Sequence, residues 1–572
     1  AEPFGLKPYT KAYPTTPSSY SPITPPPKLA TMGKRKTSTG NNNDLSFTLE
    51  FRVLFCLLLF ALALEFSLLF YHEVDDIGTA PSTQNRFDAM ELSPQQAIPV
   101  ESNKGNPHLD PLPPYLPPFA PIPNDDALIS DVLAGKPTVT GIMALLNRFL
   151  EEFHAVNIAF KNKKPLVTEK EVVDAFLDLA KKHLVEFDAV YRGGPIFDVR
   201  EDDSIFMSLA AYREHLLAAT LRQAFSHAAN PDRIFIGAVV QNCFGIESTC
   251  RTGVQVVGND SNGRPITKVS DAPPDVNGID EFCNDQDYSK YCESGQVRAL
   301  YVNETESVGP AAARYLASKL WGGETYFVQS DSHLEFAQNW DALYTKEVQL
   351  AKNYPKAILS AYPPGFGGTK GEDTHGAKLC ACEFSKTDVE HHIIRINSAG
   401  NYDKIPPNPK QTPFMAAGFF FARAEFLVDV PFDPLLPWCF MGEEIALSMR
   451  SWTSGWRIYA PRHNLIAHQY RPGRMGLPKF WETVGRTYNR PGPGFNTKLQ
   501  RILIKRIKHL VGYPSASKEQ VDSEGDGAVL DDIEYYGLGN EETYTAYLEY
   551  AGIDVEKESC KLQQWCMQGL YD

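Results

Sequence analysis

Asp331 and His333 are the residues whose types and spacing point most directly to chemistry. They close the stretch Tyr326-Phe327-Val328-Gln329-Ser330-Asp331-Ser332-His333, in which strand-forming, mostly apolar residues run into an Asp-x-His pair. An extended backbone turns residues two apart to the same side. Side chains at the end of a strand project into the crevice at the carboxyl edge of an open α/β sheet, where ligands bind. A carboxylate oxygen and an imidazole nitrogen together offer half a coordination shell for a divalent cation of the Mn²⁺ type. On the tripeptide alone the plainer reading is a strand that ends in a polar turn, with Asp331 capping a helix near Leu334.

A second set lies downstream. Trp438-Cys439-Phe440-Met441-Gly442-Glu443-Glu444 reads as a loop opening into an amphipathic helix that runs to about Trp452. A short strand over Gly455–Pro461 follows, then His463 and His468. Two adjacent carboxylates at a helix start are favoured by the helix dipole whether or not they do chemistry. Trp438, Phe440 and Trp456 are candidates for an apolar wall or for core packing.

The elements that must position these residues alternate. Ser204–Leu209 reads as a buried strand, followed by a helix around Glu214–Ala228, a strand over Arg233–Gln241, a strand over Val297–Asn303, a helix over Ala311–Lys319 and a strand over Thr325–Gln329. That βαβαβ order implies a parallel, doubly wound α/β sheet. The insert between Cys243 and Cys292 is polar and rich in Gly, Asp and Asn, and reads as a long loop region. Before the sheet, Ile142, Leu145, Leu146, Phe149 and Phe153 recur at helical spacing, as do Val172, Val173, Phe176 and Leu177, the latter set behind a Thr168/Glu171 capping box.

The block from Ser204 to about Trp481 resembles the GlcNAc-transferase family typified by the Skp1-hydroxyproline N-acetylglucosaminyltransferase. More distantly it is similar to retaining polypeptide GalNAc-transferases of the GT-A fold. The matches are Ala211-Tyr212-Arg213, Asn230-Pro231-Asp232-Arg233-Ile234-Phe235-Ile236-Gly237, Gly309-Pro310 with Arg314, and Gln329-Ser330-Asp331-Ser332-His333. They continue with Asn339-Trp340-Asp341, Ser360-Ala361-Tyr362-Pro363, the Gly442-Glu443-Glu444 helix, Tyr536-Gly537-Leu538-Gly539 and Gly552-Ile553-Asp554.

The resemblance implies a GT-A-like, mostly parallel sheet and metal-dependent transfer of GlcNAc from UDP-GlcNAc to a polypeptide hydroxyl (hydroxyproline, Ser or Thr), with retention. It implies Asp331, His333 and His468 as ligands of Mn²⁺ or another divalent cation, with His463 the alternative third ligand. Tyr212, Arg213 and Glu214 would contact the base or ribose of the nucleotide, although the family usually carries Asp where this chain has Glu214. Arg314 and Ser332 join that nucleotide-sugar set, and Asp341 is a structural anchor. Glu443 and Glu444 would orient the sugar and the acceptor hydroxyl. The same fold with GalNAc, galactose or mannose as the sugar, or a membrane-tethered protein that binds glycans or partners without catalysis, are the alternatives.

With 572 residues the chain exceeds one compact domain, and a net charge of −15 with pI near 5.4 argues against nucleic-acid binding. Within the expected membrane anchor, residues 51–71, Val53 to Tyr71 form a nearly continuous apolar run, interrupted by Glu65 and long enough to span a bilayer of roughly 30 Å. Lys34, Arg35, Lys36 and Arg52 precede it, and Glu73, Asp75 and Asp76 follow. The bias predicts a single-pass type II protein of the Golgi or ER membrane with its large part lumenal; a cleaved signal peptide is the alternative. Residues 1–50 form a disordered tail on this reading, 72–125 a Pro-rich stem, 126–200 a helical region, 201–490 the catalytic domain and 491–572 an extension. The Skp1-modifying relatives act in the cytosol, so an anchor and stem shift the expected acceptor to a secreted or wall glycoprotein.

Cys56 lies in the apolar run, leaving nine of the ten cysteines beyond it. Cys243/Cys250, Cys283/Cys292 and Cys560/Cys566 are close enough for local disulfides, and Cys380 and Cys382 are also expected in disulfides. The odd count leaves one thiol over, free or paired between chains. The basic segment with Arg501, Lys505, Arg506 and Lys508 is either a solvated face or a membrane-lying helix.

Overall fold

The computed structural model describes residues 125–568 apart from 246–248, 252–254, 260–264, 269–270, 387–391, 471–476 and 491. These residues lie within one compact unit, Lys104–Asp572. The expected tail, the apolar run at 51–71 and all but the last residue of the stem lie outside the described residues. No helix among the described residues is long and apolar enough to cross a membrane.

Eight strands form the central sheet: β1 (Ile205–Tyr212), β2 (Ile234–Asn242), β3 (Val297–Asn303), β4 (Tyr326–Asp331), β5 (Ala357–Ser360), β6 (Lys410–Gln411), β7 (Phe419–Arg423) and β8 (Arg457–Ala460). Their spatial order is β6-β8-β5-β7-β4-β1-β2-β3. β4, β1, β2 and β3 run parallel, as the alternating pattern predicts. β5 and β8 are parallel to each other. β7 is antiparallel to both β4 and β5, and β6 is antiparallel to β8, so the sheet is mixed rather than purely doubly wound.

The near-continuous apolar runs are what a sheet covered on both faces requires. Ile205, Met207 and Leu209 enter one apolar cluster and Phe206 the other, the two-residue period sending neighbours to opposite faces. The insert after β2 is more ordered than a long loop. It carries two small ribbons, Cys250–Arg251 with Asp271–Ala272 and Gln255–Asn259 with Pro265–Lys268, and the short helices Gly278–Cys283 and Ser289–Glu293.

Before the sheet, helices span Val139–Lys161 and Glu169–Ala180, the second opened by the expected Thr168/Glu171 capping box. They share the core of the catalytic region. Phe176 meets Trp438 edge-on with ring centroids 5.5 Å apart, and Phe153 meets it at 6.5 Å. Trp438 is thus spent on core packing rather than on an apolar wall. Trp456 is likewise core, edge-on to Phe426 at 5.4 Å with its Nε1 donating to Asp429 at 2.9 Å.

The basic segment forms the helix Pro493–Val511, on which Arg501 is exposed while Arg506 turns inward. Arg506 is fully buried and donates to Asp433 at 2.6 and 3.1 Å and to the carbonyls of Val529 and Asp531 at 2.8 Å each. Lys505 pairs with Glu524 and Asp526. A membrane-lying face is therefore not what these two residues provide. Arg506→Ala strands a buried carboxylate and is expected to cost about 3–5 kcal/mol in urea unfolding; a loss under about 1 kcal/mol would show that the pair is dispensable.

Cys243–Cys250 and Cys283–Cys292 are disulfides, as the spacing predicts. Cys560 and Cys566 do not pair with each other. Cys560 ends the strand Ser559–Cys560 and Cys566 sits in the helix Gln564–Gln568, and they bridge to Cys382 and Cys380 respectively. The C-terminal segment is thus fastened to the strand Ala381–Phe384, which pairs with Ile394–Asn397. Cys439, the ninth cysteine, is buried.

Candidate active site

β4 ends at Asp331, at the carboxyl edge of the sheet. Asp331 and His333 reach one metal-sized site, as their spacing predicts, and Ser332 between them turns the opposite way. Ser332 is buried, with its Oγ donating to the Ala210 carbonyl at 3.4 Å, so it does not enter the nucleotide-sugar site expected for it. Beyond His333 the chain forms an antiparallel ribbon, Leu334–Phe336 with Ile466–His468, in which Leu334 faces His468. That ribbon delivers a side chain 137 residues distant to Asp331: His468 Nε2 lies 2.9 Å from Asp331 Oδ2. The rings of His333 and His468 are 4.7 Å apart, and one ligand atom from each of the three residues lies within 4.8 Å of the others.

Outer partners fix these three side chains. His333 Nδ1 is 2.8 Å from Glu214 Oε2, and Glu214 Oε1 accepts the Leu216 N–H at 2.8 Å. Glu214 therefore orients His333 through Nδ1, leaving Nε2 for the site, rather than facing a base or ribose. Arg314 Nη2 donates to Asp331 Oδ1 at 3.0 Å, and its Nη1 donates to Glu443. Burial pushes the Asp331 carboxyl up, but the His468 hydrogen bond and the charges of Arg314, His468 and His333 outweigh it and hold it well below the usual carboxylate range. Gly418, just before β7, accepts the Asp331 backbone N–H at 3.1 Å, and a Cβ there would stand 3.0 Å from Oδ2, so any larger residue would press on that carboxylate.

The helix Glu443–Thr453 opens after Gly442, whose φ of 88° is the left-handed conformation that glycine adopts readily. Glu443 is 7% exposed, and its Oε1 is buried without a hydrogen-bond partner among the described residues. Burial raises its carboxyl, opposed by Arg314. Glu444 accepts the Ala417 N–H at 3.1 Å and the Tyr362 hydroxyl at 2.7 Å. Burial pushes Glu444 up to about 6, against the pull of those two hydrogen bonds. A cleft of about 250 Å³ is lined by Arg314, Asp331, Tyr362, Glu443, Glu444 and His468, with Phe440 and Met441 adding an apolar side. Phe440 alone of the three expected aromatics faces this space, packed on Phe480 and Trp481.

The remaining candidates, Arg314 apart, do not line this cleft. His463 is buried with Nδ1 3.3 Å from the Thr374 carbonyl, outside the trio. Tyr212 is edge-on to Phe480 at 5.6 Å. Arg213 is buried, hydrogen-bonded to Asp275 at 2.7 and 3.0 Å and ion-paired through Nη1 with Glu304 at 3.1 Å, so its guanidinium is turned to protein carboxylates. Arg314 reaches the cleft but is bound by two carboxylates. Asp341 anchors the Ala229 and Asn230 backbone N–H groups at 2.7 and 2.9 Å, the structural role expected of it. Tyr362 and Gly418 received no role from the sequence. Tyr362 falls in a quoted motif, but nothing in its neighbours announces that it meets Glu444.

A family model described as glycosyltransferase (GlcNAc) matches residues 204–557. The chain belongs to that family. It is a glycosyltransferase with a mixed α/β architecture built on a large, mostly parallel sheet. Among solved structures the transferase is similar to GalNAc-T7 with UDP, GalNAc and Mn²⁺, at 16% identity and a TM-score of 0.36, over 71% of this chain and 66% of that one. It is also similar to S. aureus TarS residues 1–349 in complex with UDP, at 11% identity and a TM-score of 0.24, over 64% of this chain and 92% of that one. No curated protein matches.

One carboxylate and two imidazoles, converging from the end of β4, the turn after it and the ribbon strand Ile466–His468, fit a divalent cation of the Mn²⁺ type. Asp331, His333 and His468 are the residues that would hold it.

Proposed function

We propose that this transferase moves GlcNAc from UDP-GlcNAc to a hydroxyl of a polypeptide (hydroxyproline, Ser or Thr) with retention, on a GT-A-like fold and with Mn²⁺ or a similar cation. The observation that carries the reading is the convergence of Asp331, His333 and His468 beside a cleft that also holds Glu443 and Glu444. A divalent cation bound there offsets the charge of the departing diphosphate. The bond from the sugar C1 to the phosphate oxygen breaks with its electron pair leaving on UDP, the acceptor oxygen bonds to C1, and its proton passes to the leaving phosphate. No strong side-chain base is then needed, and the two glutamates serve to orient. Glu443 Oε1, buried and unpartnered, supplies a hydrogen-bond acceptor for a sugar O–H or N–H, since such an atom is costly until a ligand satisfies it.

A lumenal, type II placement in the Golgi or ER membrane goes with this reading. Four disulfides among the described residues support an oxidising compartment, and the basic-before, acidic-after flanks of the apolar run support the orientation.

The experiment is a donor screen on the purified chain. UDP release from UDP-GlcNAc that needs Mn²⁺, vanishes with a chelator and exceeds release from UDP-GalNAc and UDP-galactose is expected. Equal or faster release from another UDP-sugar would change the sugar. No turnover with any of them would favour a tethered glycan-binding protein.

A further inference from the structure

Tyr362 stands two residues beyond the end of β5 and lines the cleft. Its hydroxyl is 2.7 Å from Glu444 Oε2, 2.8 Å from Oε1 and 3.2 Å from the Ile396 carbonyl. A single phenolic proton goes preferentially to the carboxylate, because a charge-assisted bond is the stronger one. Glu443, adjacent in sequence, is tied instead to Arg314 and through it to Asp331. Two neighbouring carboxylates on one helix turn are thus wired to different walls: Glu443 to the cation side, Glu444 to Tyr362 and the strand Ile394–Asn397 behind it.

We propose that Tyr362 is a positioning residue for the acceptor hydroxyl: it fixes the Glu444 carboxylate so that a remaining lone pair receives the incoming O–H. This rests on the transferase reading above and assigns separate halves of the same cleft, donor to Glu443 and acceptor to Glu444. The groups facing Glu444 are Tyr362, Glu443, Arg314, Tyr470 and the Ala417 N–H. Of these, Tyr362 is the one whose loss by a single-atom change removes a bond to the ionised form while leaving the cation ligands untouched.

Water is also an acceptor hydroxyl, so hydrolysis of UDP-GlcNAc reads the effect without a known polypeptide acceptor. Tyr362→Phe in the full chain is expected to lower kcat for hydrolysis about 10-fold, the scale of one hydrogen bond to a charged group. KM for UDP-GlcNAc should stay within about two-fold. Burial already holds Glu444 at about 6 and the Tyr362 bond pulls it down. Removing that bond moves the group up, so activity should begin to fall at a higher pH than in the unsubstituted protein as pH is lowered. An unchanged kcat and acid limb overturns the proposal. So does a lowered melting temperature with kcat reduced but the acid limb in place, which is the mark of a purely structural role. An unsubstituted protein that is inert with every UDP-sugar and Mn²⁺ sinks the transferase reading itself, and this one with it, whereas a protein active on one of them with an indifferent variant sinks only this one.

Discussion

Asp331→Asn is expected to lower kcat/KM for UDP-GlcNAc turnover at least about 1,000-fold at saturating Mn²⁺, equivalent to roughly 4 kcal/mol of lost transition-state stabilisation. Asn keeps the shape but removes the one anionic member of the proposed cation trio, and with it the charge that both His468 at 2.9 Å and Arg314 at 3.0 Å converge upon. The loss is large because a neutral amide cannot replace the charge that these two partners face. Melting temperature in the absence of metal serves as the folding control. A folded variant that keeps more than about a tenth of the activity would mean that Asp331 does not hold the cation.

Glu443→Gln is the second. Here kcat should fall about 100-fold, roughly 2.7 kcal/mol, with KM for the donor little changed. The substitution keeps volume but removes the charge that Arg314 grips and presents an amide where Oε1 is now a buried, unpartnered acceptor. An N–H donor at that spot cannot receive a sugar hydroxyl in the same way. Steady-state kinetics with UDP-GlcNAc check it: a rise in KM at constant kcat would reassign Glu443 to ground-state binding, and no change would remove it from the site.

Much of this site follows from local rules, and the rest does not. Asp331 and His333 are legible because a two-residue period needs no knowledge of the remainder of the chain, and the same rule sends Ser332 into the core. The parallel strands β1 to β4 are legible because helices alternate with them. His468 is not legible from spacing; a three-residue ribbon brings it in, and only the family resemblance pointed to it. β7 is hidden for a related reason. Phe419–Arg423 is buried on both faces, so its apolar run reads alike in either direction and does not disclose its antiparallel insertion between β4 and β5. Trp438 and Trp456 show the limit of composition, since an aromatic beside a Gly-Glu loop reads as wall or core until its neighbours are known. Arg213 and the C-terminal cysteines fail the same way: their partners Asp275, Glu304, Cys380 and Cys382 are set by tertiary packing across long stretches of chain.

The most direct measurement is Mn²⁺ binding to the chelator-stripped chain and to its His468→Ala variant, followed by titration calorimetry or by the electron paramagnetic resonance of free Mn²⁺. One ion per chain is expected, with affinity in the variant weakened by more than the roughly 10–100-fold that removal of an outer partner costs. Stoichiometric binding that is indifferent to His468 would contradict a cation held between the end of β4 and the ribbon that follows it.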